Sequence, residues 1–193
     1  MNKIELNMIK RIEAHKNILF FAAVILINCA MRIASRNYIS WDMNGFLLVW
    51  YDEFAASGGF KALKDTIGNY NLLYQTFLAA ISYLNLEGVD RVQAIKALST
   101  IFDFLLSFLT AAIISEYKKE KLFEKSFCIS FAVMMFLPTL ILNSAYWGQC
   151  DSIYIFFMLL TVYLLYKEKY IPAFAVLELN RSEERRVGKE CRS

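Results

Sequence analysis

Long apolar blocks separated by short charged runs are the feature that most constrains this chain. A spanning helix needs roughly 20 consecutive apolar residues, and several blocks reach or approach that length. With two prolines and seven glycines in 193 residues, the blocks can run as uninterrupted helices. The averages understate this clustering. Hydrophobic residues make up 58% and charged residues 20%, with mean hydropathy +0.39, against about half apolar and a quarter charged in a soluble domain. Tyr and Trp lie often near block ends, where amphipathic rings suit the headgroup layer. The expectation is an all-α integral membrane protein, a polytopic transmembrane helical bundle of about four to five spans.

Spans are expected at about residues 17–35, 94–117, 126–143 and 152–166, with an incomplete fifth at 170–180. Residues 72–84 are ambiguous, because the apolar run is short and Gln75 interrupts it. That length fits a surface or re-entrant helix better than a span. Charge arbitrates. Lys3, Lys10, Arg11 and Lys16 precede the first span, which places the N-terminus in the cytoplasm. If 72–84 does not span, the Lys118–Lys125 and Lys167–Lys169 runs also fall inside, as the positive-inside rule prefers. Residues 37–93 then form one long outer loop carrying membrane-surface helices. One such helix is expected around residues 46–54, with Phe46, Leu47, Trp50 and Phe54 on one face. The protein is accordingly placed in the cell membrane as a multi-pass protein.

A net charge of +3 and the lack of a basic stripe interleaved with aromatics exclude nucleic acid as a partner. Cys29, Cys128, Cys150 and Cys191 form no CxxC pair and read as free thiols. His15 reads as a solvated residue. Residues 181–193 switch abruptly from an apolar helix to the charged run RSEERRVGKECRS. This run resembles a translated vector or adapter sequence, so residues 1–180 are taken as the N-terminal part of a longer protein and 181–193 as a non-native tail.

Two polar clusters fall on the outer side. One is Ser40-Trp41-Asp42-Met43-Asn44; the other runs from Asn143 through Trp147-Gly148-Gln149-Cys150-Asp151 to Ser152. Each sets a carboxylate beside aromatics at the end of a span. The outer loop adds Trp50-Tyr51-Asp52-Glu53, Gly58-Gly59-Phe60-Lys61-Ala62-Leu63-Lys64 and Gly68-Asn69-Tyr70-Asn71, and the second span carries Phe102-Asp103-Phe104.

The order of these motifs along residues 30–178 resembles the GT-C superfamily of membrane glycosyltransferases, and within it the bacterial GPI-mannosyltransferase-II-like (PIG-V-like) proteins. The Trp147-Gly148-Gln149-x-Asp151 cluster after a Pro138-containing span is the most specific element. The resemblance implies a GT-C-like bundle with a long first outer loop, here truncated, since such enzymes are about twice as long. It implies a polyprenyl-phosphate hexose donor, mannose by default, a glycolipid or glycan acceptor, and inverting transfer with Asp42 as the catalytic base. A divalent cation is the one cofactor it leaves open. A chain lacking the later spans would be inactive alone.

The residues themselves allow that chemistry. An acceptor hydroxyl must lose its proton as the new bond forms, and a positioned carboxylate taking it contributes about 10²–10⁴-fold. Asp42, between Trp41 and Met43, suits this by partial desolvation; the competing reading is a cap for the following helix. The departing phosphate needs cationic donors. Arg91 is the preferred one, with Arg32, Arg36, Lys61 and Lys64 as alternatives, and each could equally anchor the interface by snorkelling. Trp147 and Gln149 read as sugar contacts and Asp151 as a sugar, metal or acceptor contact, or the cluster merely caps the fourth span. Asn69 and Tyr70 complete the expected substrate-binding set with Arg36. Asp52 and Glu53 read as loop surface first and as a second carboxylate next. Asp103 lies about nine residues into its span, roughly 13 Å along the axis. An ionisable group there faces the bundle with a partner, so a structural contact with another span comes first and substrate binding second.

Two other classes compete. Asp103 and the polar clusters could belong to a secondary transporter, although no internal repeat or Gly/Pro-broken span is read in the chain. A non-enzymatic membrane assembly protein is the third.

Overall fold

A computed structural model describes residues 3–64, 67–84 and 89–181, with side chains described from residue 15 to 179. The expected tail at 182–193, with Cys191, lies outside the described residues. Among these residues every regular element is helical. The long helix α1 spans Lys3–Ala34. A π turn, Met43–Leu47, leads into α2, Leu48–Ala56. A 3-10 segment, Gly59–Lys64, and the short α3, Leu72–Leu84, follow. Then come α4, Arg91–Tyr117, and α5, Lys125–Met135. The short α6, Pro138–Ile141, runs into a second π turn, Leu142–Trp147. Helices α7, Asp151–Tyr166, and α8, Tyr170–Arg181, complete the chain.

Two stretches, His15–Ala34 and Arg91–Tyr117, are long and apolar enough to cross a membrane, and a third counts if the bent pair Lys125–Met135 and Pro138–Trp147 forms one span. The bend is 54°, so the reading that no span is broken by proline is corrected. Pro138 supplies the cause. Its ring disfavours the α conformation at the residue before it, and Leu137 is extended at ψ 121°. The missing N–H of Pro138 falls in a first helical turn, where it is tolerated. Helix α3 has 13 residues, about 20 Å at 1.5 Å per residue, short of a hydrocarbon core of about 30 Å. It packs instead on α2 and the 3-10 segment.

Helix α4 is the hub, packed against α5 on one side and α7 on the other. One side chain cluster joins the loop to the bundle: Met43, Leu47, Phe54, Tyr74 and Leu78 pack with Ile95, Phe102 and Ile153. Phe102 meets the rings of Phe77, Phe156 and Phe157. A second cluster sets Val24 of α1 against Ala111, Phe127, Phe131 and Met135, with Phe21 and Phe131 centroids 4.6 Å apart. The loop helix is present, but its buried face differs from expectation. Met43, Leu47 and Phe54 are buried, while Phe46 is exposed, because the helix starts earlier and its first turn is a π turn.

The ends of the helices sort into two groups. At one end Asn17 of α1 accepts a contact from Cys128, and Phe21 touches Phe123. Glu116 of α4 pairs with Lys167 after α7 and accepts from Tyr163 at 2.7 Å. The Asn17–Phe21 stretch of α1, the 118–125 turn and the 167–169 turn therefore share that end. At the other end, Lys96 near the start of α4 donates to the Ser35 and Tyr38 carbonyls, at 2.9 and 2.6 Å. A cation thus closes the C-terminus of α1, where free carbonyls and the helix dipole favour it.

Candidate functional site

At this second end the chain crosses itself at Ser40. The Ser40 hydroxyl accepts from the Met43 N–H at 3.1 Å and donates to the Trp147 carbonyl at 3.3 Å. Ser40, not Asp42, therefore caps the loop helix, and Asp42 has no capping hydrogen bond. This removes the capping reading of Asp42. Gly148 makes the crossing possible. It is left-handed at φ 71°, and a Cβ there would come within 2.2 Å of Met43 Cε. Glycine takes that conformation without strain, and any larger residue would also have to displace the end of Met43.

Asp42, Gln149 and Tyr70 form a chain. Gln149 Nε2 donates to Asp42 Oδ2 at 3.2 Å, and the Tyr70 hydroxyl donates to Gln149 Oε1 at 2.7 Å. The amide is thereby oriented from both sides, which makes Gln149 a positioning group for Asp42 more than a free sugar contact. Burial, with Cys150, Asp151 and Asp42 nearby, pushes the Tyr70 hydroxyl up to about 12. Tyr70 is a neutral donor at ordinary pH, and both carboxylates lie close enough to act on it. Its ring rests on Trp50 and Tyr74, at 5.0 and 5.3 Å. Below it, Gln75 Nε2 donates to the Ile67 and Tyr70 carbonyls, at 2.7 and 2.8 Å. The polar residue that interrupts the α3 apolar run thus fixes the loop that carries Tyr70.

Asp151 opens α7 and is exposed, accepting from Asn143 Nδ2 at 3.0 Å. This pair and Trp147, 52% exposed, stand over a groove of about 390 Å³ whose other walls include Thr139, Leu140, Leu142 and Ile155. The groove is mostly apolar with a polar rim, a shape suited to an amphiphile.

Beneath the crossing lies a buried ionic knot. Arg32 Nη2 of α1 is 2.8 Å from Asp103 Oδ2 of α4, with the side chains 7% and 0% exposed. Ser144 of the second π turn and Ser152 of α7 both donate to Asp103. Arg32 Nη1 donates to Ser144 at 2.6 Å. The expectation that Asp103 faces another span with a partner is met, and the partner is Arg32 rather than a member of its own helix face. Arg32, named as an alternative phosphate contact, is engaged with Asp103 through Nη2.

The other expected site residues divide. Arg91 pairs with Asp52 at the surface, both about half exposed. The preferred phosphate contact is thus already matched to a carboxylate, and Asp52 is loop surface. Asn69 is exposed, and no contact brings it to Asp42. Arg36 is exposed and lies on the α1–α4 side, donating to Ile33 O at 3.4 Å. Ser144, Ser152 and Met43 stood inside the polar clusters of the sequence but were given no role there. Serines within apolar blocks carried a usable signal, since a hydroxyl inside a membrane helix needs a partner.

Among the described residues no group of three or more His, Cys, Asp and Glu comes together to hold a metal ion. Asp42 and Asp151 are each engaged by a side-chain amide. Cys29, Cys128 and Cys150 are free of disulfides. Comparison with family models, curated proteins and solved structures finds no match for this chain.

Proposed function

We propose that the chain belongs to a membrane glycosyltransferase that moves a hexose from a polyprenyl phosphate to an acceptor hydroxyl, with Asp42 as general base. One observation carries the reading. The Asp42–Gln149–Tyr70 chain brings the loop carboxylate onto the Trp147–Asp151 turn, so base and candidate sugar-facing groups occupy one place. Asp42 Oδ2 is held by the amide, which leaves Oδ1 to take the acceptor proton as the hydroxyl attacks. The leaving phosphate departs as a stabilised anion and needs no proton. Trp147 offers a ring face to a sugar, and the apolar groove beneath offers room for the first prenyl units. An outer-face site is the arrangement this reading implies, with the two basic turns at the opposite, cytoplasmic end.

The test uses the chain joined to the later spans that the resemblance implies, in proteoliposomes with radiolabelled polyprenyl-phosphate hexose, reading donor binding and transfer separately. Asp42→Asn is expected to leave binding intact and to lower transfer by about 10²–10⁴-fold, the range for one general base. Transfer by the variant at the parent rate removes Asp42 from its role. Failure of the parent to bind the donor ends the glycosyltransferase reading.

A further inference from the structure

Between α1 and α4, away from the Asp151 groove, lies a second cavity of about 290 Å³. Three cations line it, Arg32, Arg36 and Lys96, together with Gln93, Thr100 and Cys29. Among the described residues the one carboxylate paired with them is Asp103, bound to Arg32, which leaves two of the three positive charges without a carboxylate there. Arg32 is 8% exposed, and its Nε has no hydrogen-bond partner among the described residues. Arg32 and Arg36 both line the cavity, so an anion in it would meet two guanidinium groups.

The geometry points to a binding notch for the phosphate of an anionic membrane lipid. The notch sits at the last turns of α1, inside the apolar stretch His15–Ala34. Its flank is Ile33, 57% exposed, and seven residues earlier on the same helical face is Leu26, 69% exposed. A phosphate seated between Arg36, Arg32 and Gln93 would let an acyl chain run along that flank. A soluble anion would have no use for it. Guanidinium groups bind phosphate in fixed, directional pairs, and a lipid whose headgroup carries its own cation would meet repulsion in the notch. The site stands apart from Asp42 and does not rest on the glycosyl-transfer reading.

The experiment is lipid titration of the purified chain in neutral detergent, read by native mass spectrometry. The probes are phosphatidylglycerol, phosphatidylcholine and inorganic phosphate. Phosphatidylglycerol is expected to be retained most tightly. Arg36→Gln removes an exposed charge whose single hydrogen bond is long, and is expected to weaken retention about fivefold, the effect of one cation near a lipid surface. Arg36→Lys is expected to keep most of the affinity. Lys121→Gln, the same charge change at the opposite end, is expected to leave it unchanged. Equal losses in Arg36→Gln and Lys121→Gln, or no loss in either, would overturn the notch. Displacement of the lipid by an equal concentration of inorganic phosphate would overturn its assignment to a lipid.

Discussion

Removing Asp103 tests the deepest electrostatic feature of the fold. In Asp103→Leu the Arg32 guanidinium remains buried and positive, keeping only hydroxyl partners, Ser144 at 2.6 Å and Thr100 at 3.4 Å. Breaking one side of a buried pair costs about 3–5 kcal/mol. Arg32→Met should cost less. The carboxylate left behind keeps Ser144 and Ser152 and can take up a proton, whereas a guanidinium cannot lose one. The double variant, Arg32→Met with Asp103→Leu, removes both charges and should lie within about 1 kcal/mol of the parent, because a buried pair gains little over well-packed apolar groups. The double variant is thus more stable than Asp103→Leu alone, and the coupling is the difference. Unfolding in mixed micelles of rising SDS fraction measures all four species, with Trp41, Trp50 and Trp147 as fluorescent reporters. Single variants costing only about 0.6 kcal/mol, the average polar contact between membrane helices, would refute the reasoning. So would a double variant whose cost is the sum of the singles.

Gly148→Ala should disturb the chain crossing by about 1–2 kcal/mol for the left-handed backbone, beyond the displacement of Met43; adding Met43→Ala should relieve the clash but not the backbone cost, which the same SDS titration separates. Alkaline titration followed at 295 nm checks Tyr70. Its hydroxyl sits at about 12 against an ordinary 10.0, so between those values the folded state holds a proton that the unfolded state has lost, and stability falls as pH rises through that window. Tyr70→Phe should remove this late-titrating group and flatten the fall, while a parent whose tyrosines all ionise near 10 would contradict the buried donor.

How much of this was legible beforehand depended on whether a feature is local. The apolar blocks announced helices because periodicity and length are local properties, and the contacts of Asn17 and Glu116 set the 118–125 and 167–169 turns at the same end as Asn17. The shortness of residues 72–84 likewise told against a span. The break at Pro138 was local too, yet the apolar run from 126 to 143 masked it, since hydropathy averages over a proline whose effect is on backbone angles. Phe46 was misplaced for a related reason: a π turn has no signature in a 3.6-residue pattern. Pairings were the least legible. A place at the membrane surface favoured Arg91 as a phosphate contact, but Asp52 stands 39 residues earlier and meets it only once α2 folds against α4. Arg32 and Asp103 are 71 positions apart by their residue numbers, and the sequence offers an interfacial anchor and an acid in need of a partner without pairing the two.

The ionic knot and the candidate site are not independent. Ser144 and Ser152, both bonded to Asp103, bracket the turn that carries Trp147, Gly148 and Gln149. Arg32 ties the same carboxylate to the end of α1, from which the chain leads to Ser40 and Asp42. Asp42 and Gln149 therefore belong to two segments that diverge from one buried anchor and meet again at 3.2 Å. Between anchor and meeting point, Lys96 holds the α1 side through the Ser35 and Tyr38 carbonyls. Ser99 holds the Trp147 side through the Gly148 carbonyl at 3.4 Å. Lys96, Ser99 and Asp103 lie on one face of α4, at spacings of three and four residues. One helix face thus sets the positions of both partners, and a buried polar network can fix a unique geometry where apolar packing alone would tolerate sliding. The polar residues that looked costly in the second span are, on this argument, what holds the loop carboxylate in register with the turn.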